Sequence, residues 1–241
     1  NLKEMKIKGL KWIVTMSITL TLTGCEFFGL DMQESYEYDY KAGIPDNNVH
    51  MNAWDFIQSR LDIFSLLKDA VKYADMEETF QSEDCTYLLP TNTAFTATGN
   101  SLGYFDTHKV KVESLDEEGN PIRDEEGNIV YVDEAPISMT MYPKEQVKEF
   151  LLYHIVKGKY TFTNLPAEPT WFETFAPADT AKINMYVYKD RNPNITFNNF
   201  EGHYKNDIKP RSSNLQTARG SYIHVIDSWM DRPTKKILGI K

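Results

Sequence analysis

Residues Thr86–Phe95 read TYLLPTNTAF: an apolar run, a proline, two side chains able to hydrogen-bond backbone, then a small residue and an aromatic. Two uses fit such a stretch, the rim of an active site or a turn that folds a buried strand back onto its own core. The residue types point to the second. Cys85–Leu89 has the length and apolar content of a buried strand. Pro90 ends it, having no N–H to give a ladder. Thr91 or Asn92 is placed to cap the turn that swings Ala94 and Phe95 inward.

Working outward from this strand, the chain reads as helices first and strands later. Asn52 followed by Asp55 carries an N-cap signal, and Ile63, Leu66, Leu67, Ala70 and Val71 follow Asp62 at helical spacing, which predicts two short amphipathic helices. Pro143 opens a further helix with Val147, Phe150, Leu151 and His154 on one face, running to Gly158. Ile183–Tyr188, Asn194–Phe200 and Ser221–Asp227 are strand-like and separated by polar loops. This order favours an α+β fold over a βαβ repeat. With 241 residues, 41% of them hydrophobic, the chain is long enough for a sizeable core.

Three segments then carry a resemblance. TYLLPTNTAF resembles the first motif of the fasciclin domain, through Thr86, Pro90, Thr91, Asn92, Ala94 and Phe95. FLLYHIVKGKYT resembles its central helix and strand, with His154, and GSYIHVID resembles its last motif, with Gly220, His224 and Asp227. Arg219 departs from the family, which usually has Asn before that glycine. The resemblance implies a wedge or sandwich of β-sheets under a helical layer, and a family of adhesion and binding modules. It also makes these motif residues structural. In animal members the pair matching Tyr153-His154 has been associated with integrin binding.

The domain is expected at 49–232, with an inserted β-hairpin at 107–135 and a tail at 233–241. The insertion repeats Asp-Glu-Glu-Gly-Asn at 116–120 and 124–128, each copy with turn chemistry. Asp116, Glu117, Glu118, Asp124, Glu125 and Glu126 form a candidate partner-binding arm. Calcium would also take clustered carboxylates, but the spacing is not that of an EF-hand loop, and no metal site is expected. Trp171 and Phe172 are candidates for stacking on a ligand, with core packing as the alternative. Asp179-Thr180-Ala181 resembles a bacterial O-glycosylation site, at Thr180.

The five histidines form no HExxH, and no Cys-x-x-Cys is present; no catalytic residue is assigned. His154 and His224 read as satisfied core side chains, and Cys85 as a buried thiol.

The N-terminus gives the address. Lys6, Lys8 and Lys11 precede an uncharged run from Trp12 to Gly24, the layout of a secretory signal at 1–24 and too short to span a bilayer. Leu22-Thr23-Gly24-Cys25 resembles the bacterial lipobox, which makes Cys25 the acylated N-terminus of a tether at 25–48; Tyr36, Tyr38 and Tyr40 alternate with acids there. Beyond this covalent lipid no cofactor is expected. Lys and Arg total 26 against 35 Asp and Glu, a field that repels nucleic acid. Loss of residues 1–24 takes four lysines and one glutamate with it, leaving −12.

The expected protein is thus a non-catalytic binding lipoprotein of the bacterial outer membrane, on the cell surface. Lipoproteins of this layout often accompany a SusC/SusD-like nutrient transporter, so an accessory subunit of such a complex is the leading expectation. A self-standing adhesin or glycan-binding lipoprotein, and a hydrolase with an unrecognised site, are the alternatives.

Overall fold

A computed structural model describes residues 46–96, 102–205 and 207–240. The signal segment, Cys25, the alternating tyrosines and all of the tether before residue 46 lie outside the described residues. In chain order the described strands are β1 Cys85–Pro90, β2 Val110–Glu113, β3 Tyr131–Glu134, β4 Ile155–Lys157, β5 Thr170–Glu173, β6 Lys182–Tyr188, β7 Asn194–Phe197, β8 Pro210–Gln216 and β9 Tyr222–Ile226. The helices are α1 Ala53–Ser59, α2 Leu61–Tyr73, α3 Asn92–Phe95, α4 Tyr104–Thr107, α5 Lys144–Tyr153 and α6 Lys235–Leu238.

The strand that opens TYLLPTNTAF is the centre of this α+β fold. β1 pairs antiparallel with β4 and parallel with β9, giving a sheet of order β4-β1-β9-β8. All six β1 residues are buried. Because side chains alternate along a strand, β1 serves two cores. Cys85, Tyr87 and Leu89 face a core built with α1, α2 and α5 through Ile57, Phe64, Leu67, Val147 and Leu151. Leu88 faces a second core, shared with Ile183, Met185, Ile195 and Phe197 of the sheet β5-β6-β7. Each fully buried Leu, Ile or Phe contributes about 1.5–3 kcal/mol. The layers are therefore helices, mixed sheet and antiparallel sheet. The two sheets are joined where Phe175 N–H donates to Ile155 O (2.8 Å) and where Phe197 bridges Ile208.

Local sequence explains most boundaries, and some differ from expectation. Asn52 caps α1 by accepting from Asp55 N–H (2.8 Å). α5 stops at Tyr153 instead of running to Gly158, because the β-branched Ile155 and Val156 leave the helix to pair with β1. β7 ends at Phe197, short of Phe200, where Asn198 takes a left-handed φ of 47°. β5 and β8 were not expected as strands. Residues ahead of the expected start at 49 also join the fold: Gln216 N–H donates to Asn47 O and Val49 N–H to Gln216 O, both at 2.8 Å. The expected tail forms one helical turn, α6, capped by Thr234 accepting from Ile237 N–H. Asp46–Lys241 is one compact unit, and no described helix is long and apolar enough to cross a membrane.

The insertion closes on itself. β2 and β3 pair antiparallel, and beyond them the two Asp-Glu-Glu-Gly-Asn copies form two further small hairpins, bridged at Leu115–Pro121 and Arg123–Ile129. At their meeting point Ser114 N–H donates to Val130 O, Val130 to Ile122 O and Ile122 to Ser114 O, a closed ring of backbone bonds at 2.8–2.9 Å. Duplicate sequence gives duplicate geometry. Gly119 and Gly127 adopt φ of 85° and 83°, and Asp116 and Asp124 each accept at 2.8 Å from the Asn N–H four residues on.

Candidate binding cleft and acidic arm

The three fasciclin-like segments meet, and their polar side chains are used on one another. Thr86 donates to Gly158 O (2.8 Å) and accepts from Tyr160 N–H (2.9 Å). The same Tyr160 offers its carbonyl to His224 Nε2 (3.0 Å). Thr91 Oγ1 donates to Asp227 Oδ1 (2.7 Å). The cap expected from Thr91 or Asn92 is not formed, since neither side chain bonds the backbone of the short turn. Asn92 reaches the helical layer instead, accepting from Leu66 N–H and donating to Ser65 Oγ, both at 3.0 Å. That contact lies beside a kink in α2, where Phe64 leaves helical φ/ψ. Pro90 pairs in register with Ile226 at the end of β1, and Phe95 is fully buried. Gly220, at φ 79°, makes the turn into β9 with Thr217. The unusual Arg219 beside it donates to Gln81 O (3.1 Å).

His154 and His224 are buried and neutral. His224 donates through Nε2, so Nδ1 is left to accept from Asn214 N–H (3.4 Å). His154 donates through Nδ1 to Phe150 O (2.8 Å), and its buried Nε2 has no partner among the described residues. Burial pushes both imidazoles down to about 4. Tyr153 is also buried, so the Tyr-His pair leaves almost no surface exposed. Its hydroxyl lies 2.9 Å from Asp231 O and 3.1 Å from Lys182 O. Cys85 is buried beside Ser221, and burial raises its thiol pKa. Among the described residues no three His, Cys, Asp or Glu gather as metal ligands.

Open space lies elsewhere, on both sides of Asp231-Arg232. One cleft, of about 350 Å³, is lined by Tyr104 and His108, by Gln146, Glu149, Phe150 and Tyr153 of α5, and by Met230–Arg232. The other, of about 450 Å³, lies between Phe200–Gly202, Asp231-Arg232 and the turn of α6. Both volumes fall in the range of ligand sites. Arg232 pairs with Glu149 (3.5 Å) and sits 5.6 Å from the Tyr153 ring centre. Asp231 is held by its backbone: its N–H donates to His203 Nε2 (3.0 Å), and its carbonyl accepts from Asn198 Nδ2 (3.0 Å). Burial raises its carboxyl pKa, while His108 and His203 pull the other way.

A chain of rings lines this region. Trp171 contacts Phe200 (5.4 Å between centroids), Phe200 contacts His203 (5.0 Å), and Tyr204 stacks on Trp229 at 3.9 Å. Trp229 in turn meets His108, which stacks on Tyr104 at 4.0 Å. The expected stacking pair is divided by strand alternation. Phe172 lies opposite Ile183 and packs on the second core, whereas Trp171 lies opposite Asn184 and turns toward Phe200. The cleft residues were not found from sequence. Gln146, Glu149, Phe150 and Tyr153 do share a helical face, but Asp231-Arg232 after the last strand carries no motif.

The acidic residues of the arm are exposed. Asp116 and Asp124 serve their turns, and the backbone N–H groups of Asn120 and Asn128 hold their carboxyl pKa values low; Glu117, Glu118, Glu125 and Glu126 remain at the tips. Thr180 is half-buried in the β5–β6 turn, where Lys182 N–H donates to its carbonyl (2.8 Å). A third cavity, of about 310 Å³, opens beside that turn next to the Lys157–Glu173 ion pair.

Residues 132–232 match the family model of the Fasciclin domain. No curated protein matches the sequence. Among solved structures, a FAS1 domain pair from the insect cell adhesion molecule Fasciclin I is similar at 13% identity with a TM-score of 0.47, covering 77% of this chain. The chain spans about half of that structure, 52% of its length.

Proposed function

We propose that the protein is a lipid-anchored, non-catalytic binding module of the bacterial outer membrane, an accessory subunit of a SusC/SusD-like nutrient-uptake complex. Fasciclin domains are generally adhesion and binding modules, and residues 132–232 match that family. The observation that carries the proposal is the division of labour among polar residues. Thr86, Thr91, Asn92, His224 and Asp227 are engaged with one another or with backbone. Beyond Val110 at its base, which packs on the first core, the acidic arm is left as an exposed structure. Glu113–Glu134 holds nine acids against Arg123 alone, which favours encounter with a basic partner surface. The lipobox-like Leu22–Cys25 supplies the anchor, because several acyl chains hold a protein to a bilayer where one is released.

Lipid labelling and membrane fractionation of wild type and Cys25→Ala test the anchor. The wild type should carry label and sediment with membranes, and the variant should lose both. Equal partitioning of the two would refute the acylated N-terminus. A self-standing surface adhesin or glycan-binding lipoprotein is the second reading, favoured by the twin clefts at Asp231-Arg232.

A further inference from the structure

From the twin clefts we infer that Asp231-Arg232 is the centre of a binding site for a neutral saccharide of at least two sugar units. The charges on the lining exclude simpler ligands. Glu149, Glu201 and Asp231 oppose an anion, and the protein as a whole is acidic. Arg232 and Lys236 oppose an ammonium group. What remains is an uncharged ligand rich in hydrogen-bonding groups.

The geometry asks for that chemistry. The Asp231 carboxylate is half-buried and accepts no hydrogen bond from any described residue, although its backbone N–H and C=O are both engaged. A partly desolvated acceptor gains from a donor that carries no charge, such as a hydroxyl. Arg232, adjacent on the chain, brings donors to the same ridge. Each cleft also has a partly exposed ring in its wall, His108, stacked on the buried Tyr104, on one side and Phe200 on the other. The C–H face of a sugar packs on such rings while its hydroxyls reach the ridge. Two ring-walled clefts meeting at one Asp-Arg pair fit two adjacent sugar units better than one.

The inference rests on the binding-module proposal but not on the anchor or the transporter partner. Calorimetric titration of the full chain in detergent would use cellobiose, maltose, lactose and chitobiose as neutral probes, with digalacturonate and spermidine as charged ones. At least one neutral disaccharide should bind, at least tenfold more weakly to Asp231→Ala and to Phe200→Leu, and with unchanged affinity to the remote Lys209→Ala. Absence of binding to every neutral probe, preference for a charged one, or equal affinity in both cleft variants when circular dichroism shows them folded would overturn it. Chromatography of the sugar after incubation separates this inference from the function proposed above. A cleaved disaccharide would support the ligand class and defeat the non-catalytic reading, and failure of all neutral probes would defeat the ligand class alone.

Discussion

Asn92 shows how a single side chain joins two layers. Its amide bonds Leu66 N–H and Ser65 Oγ, 26 and 27 residues earlier in the chain. Removing it leaves a part-buried N–H without its acceptor. Asn92→Ala should therefore cost about 1–3 kcal/mol, and in a domain of this size each kcal/mol lowers Tm by about 2–4 °C. Asn92→Asp keeps the acceptor for Leu66 and should recover part of the loss in a thermal melt. If Asn92→Ala left the melt unchanged while abolishing ligand binding, the turn would belong to a site. The buried histidines make a second prediction. With folded pKa values near 4 against 6.5 for the free side chain, they resist protonation only while the protein is folded. Their contribution is complete above pH 6.5 and is lost as pH falls toward about 4, on the order of 3 kcal/mol for each. Asp231 opposes this weakly, because its raised pKa favours the folded state as it protonates. Tm should fall across that window, and less steeply in His224→Gln, whose amide can still donate toward Tyr160 O. A pH-independent Tm would show that neither imidazole is buried neutral.

At the scale of elements, what the sequence made legible were the segments with a strong period or a strong breaker. Asn52, Pro143 and the Ile183–Tyr188 run each carried a local signal that packing kept. β8 did not, because Pro210–Gln216 reads PRSSNLQ. It is an edge strand with register shifts on either side of Ser212, and its place comes from β9 rather than from its own residues. β5 was hidden for the opposite reason: Trp171 and Phe172 read as one aromatic patch until pairing with β6 sent them to opposite faces. The arm was the most legible element, since Glu-Gly-Asn twice names its turns. It owes its form to backbone bonds and turn glycines, with exposed Leu115, Ile122, Tyr131 and Val132 outside any core. A two-stranded hairpin alone is marginal in water. Replacing residues 112–130 with a short Gly-containing turn should shift Tm by no more than about 2 °C, the scale of a change under 1 kcal/mol, and hydrogen exchange in the intact arm should be fast. A large fall in Tm would mean that the arm is part of the core.

For the molecule as a whole, the three family-like segments were legible as motifs, but their convergence was not. Only the fold shows that Thr86, Tyr160 and His224 form one chain of bonds and that Thr91 meets Asp227 136 residues away. The cleft at Asp231-Arg232 stayed hidden because its residues come from α4, α5, the loop after β7 and the run after β9, which no linear spacing relates. With the motifs turned inward, the cleft and the arm are described features open to other molecules, and the proposed lipid anchor would hold both at a membrane. Affinity purification of the full chain from solubilised membranes tests this most directly, comparing wild type with the variant shortened at residues 112–130. The wild type should recover a membrane complex with a basic contact surface, in a yield that falls as salt rises because exposed charges are screened beyond about 8 Å at physiological ionic strength. The shortened protein, equally folded and equally anchored, should lose it. Recovery of the same partners in the same yield by both proteins would contradict the account.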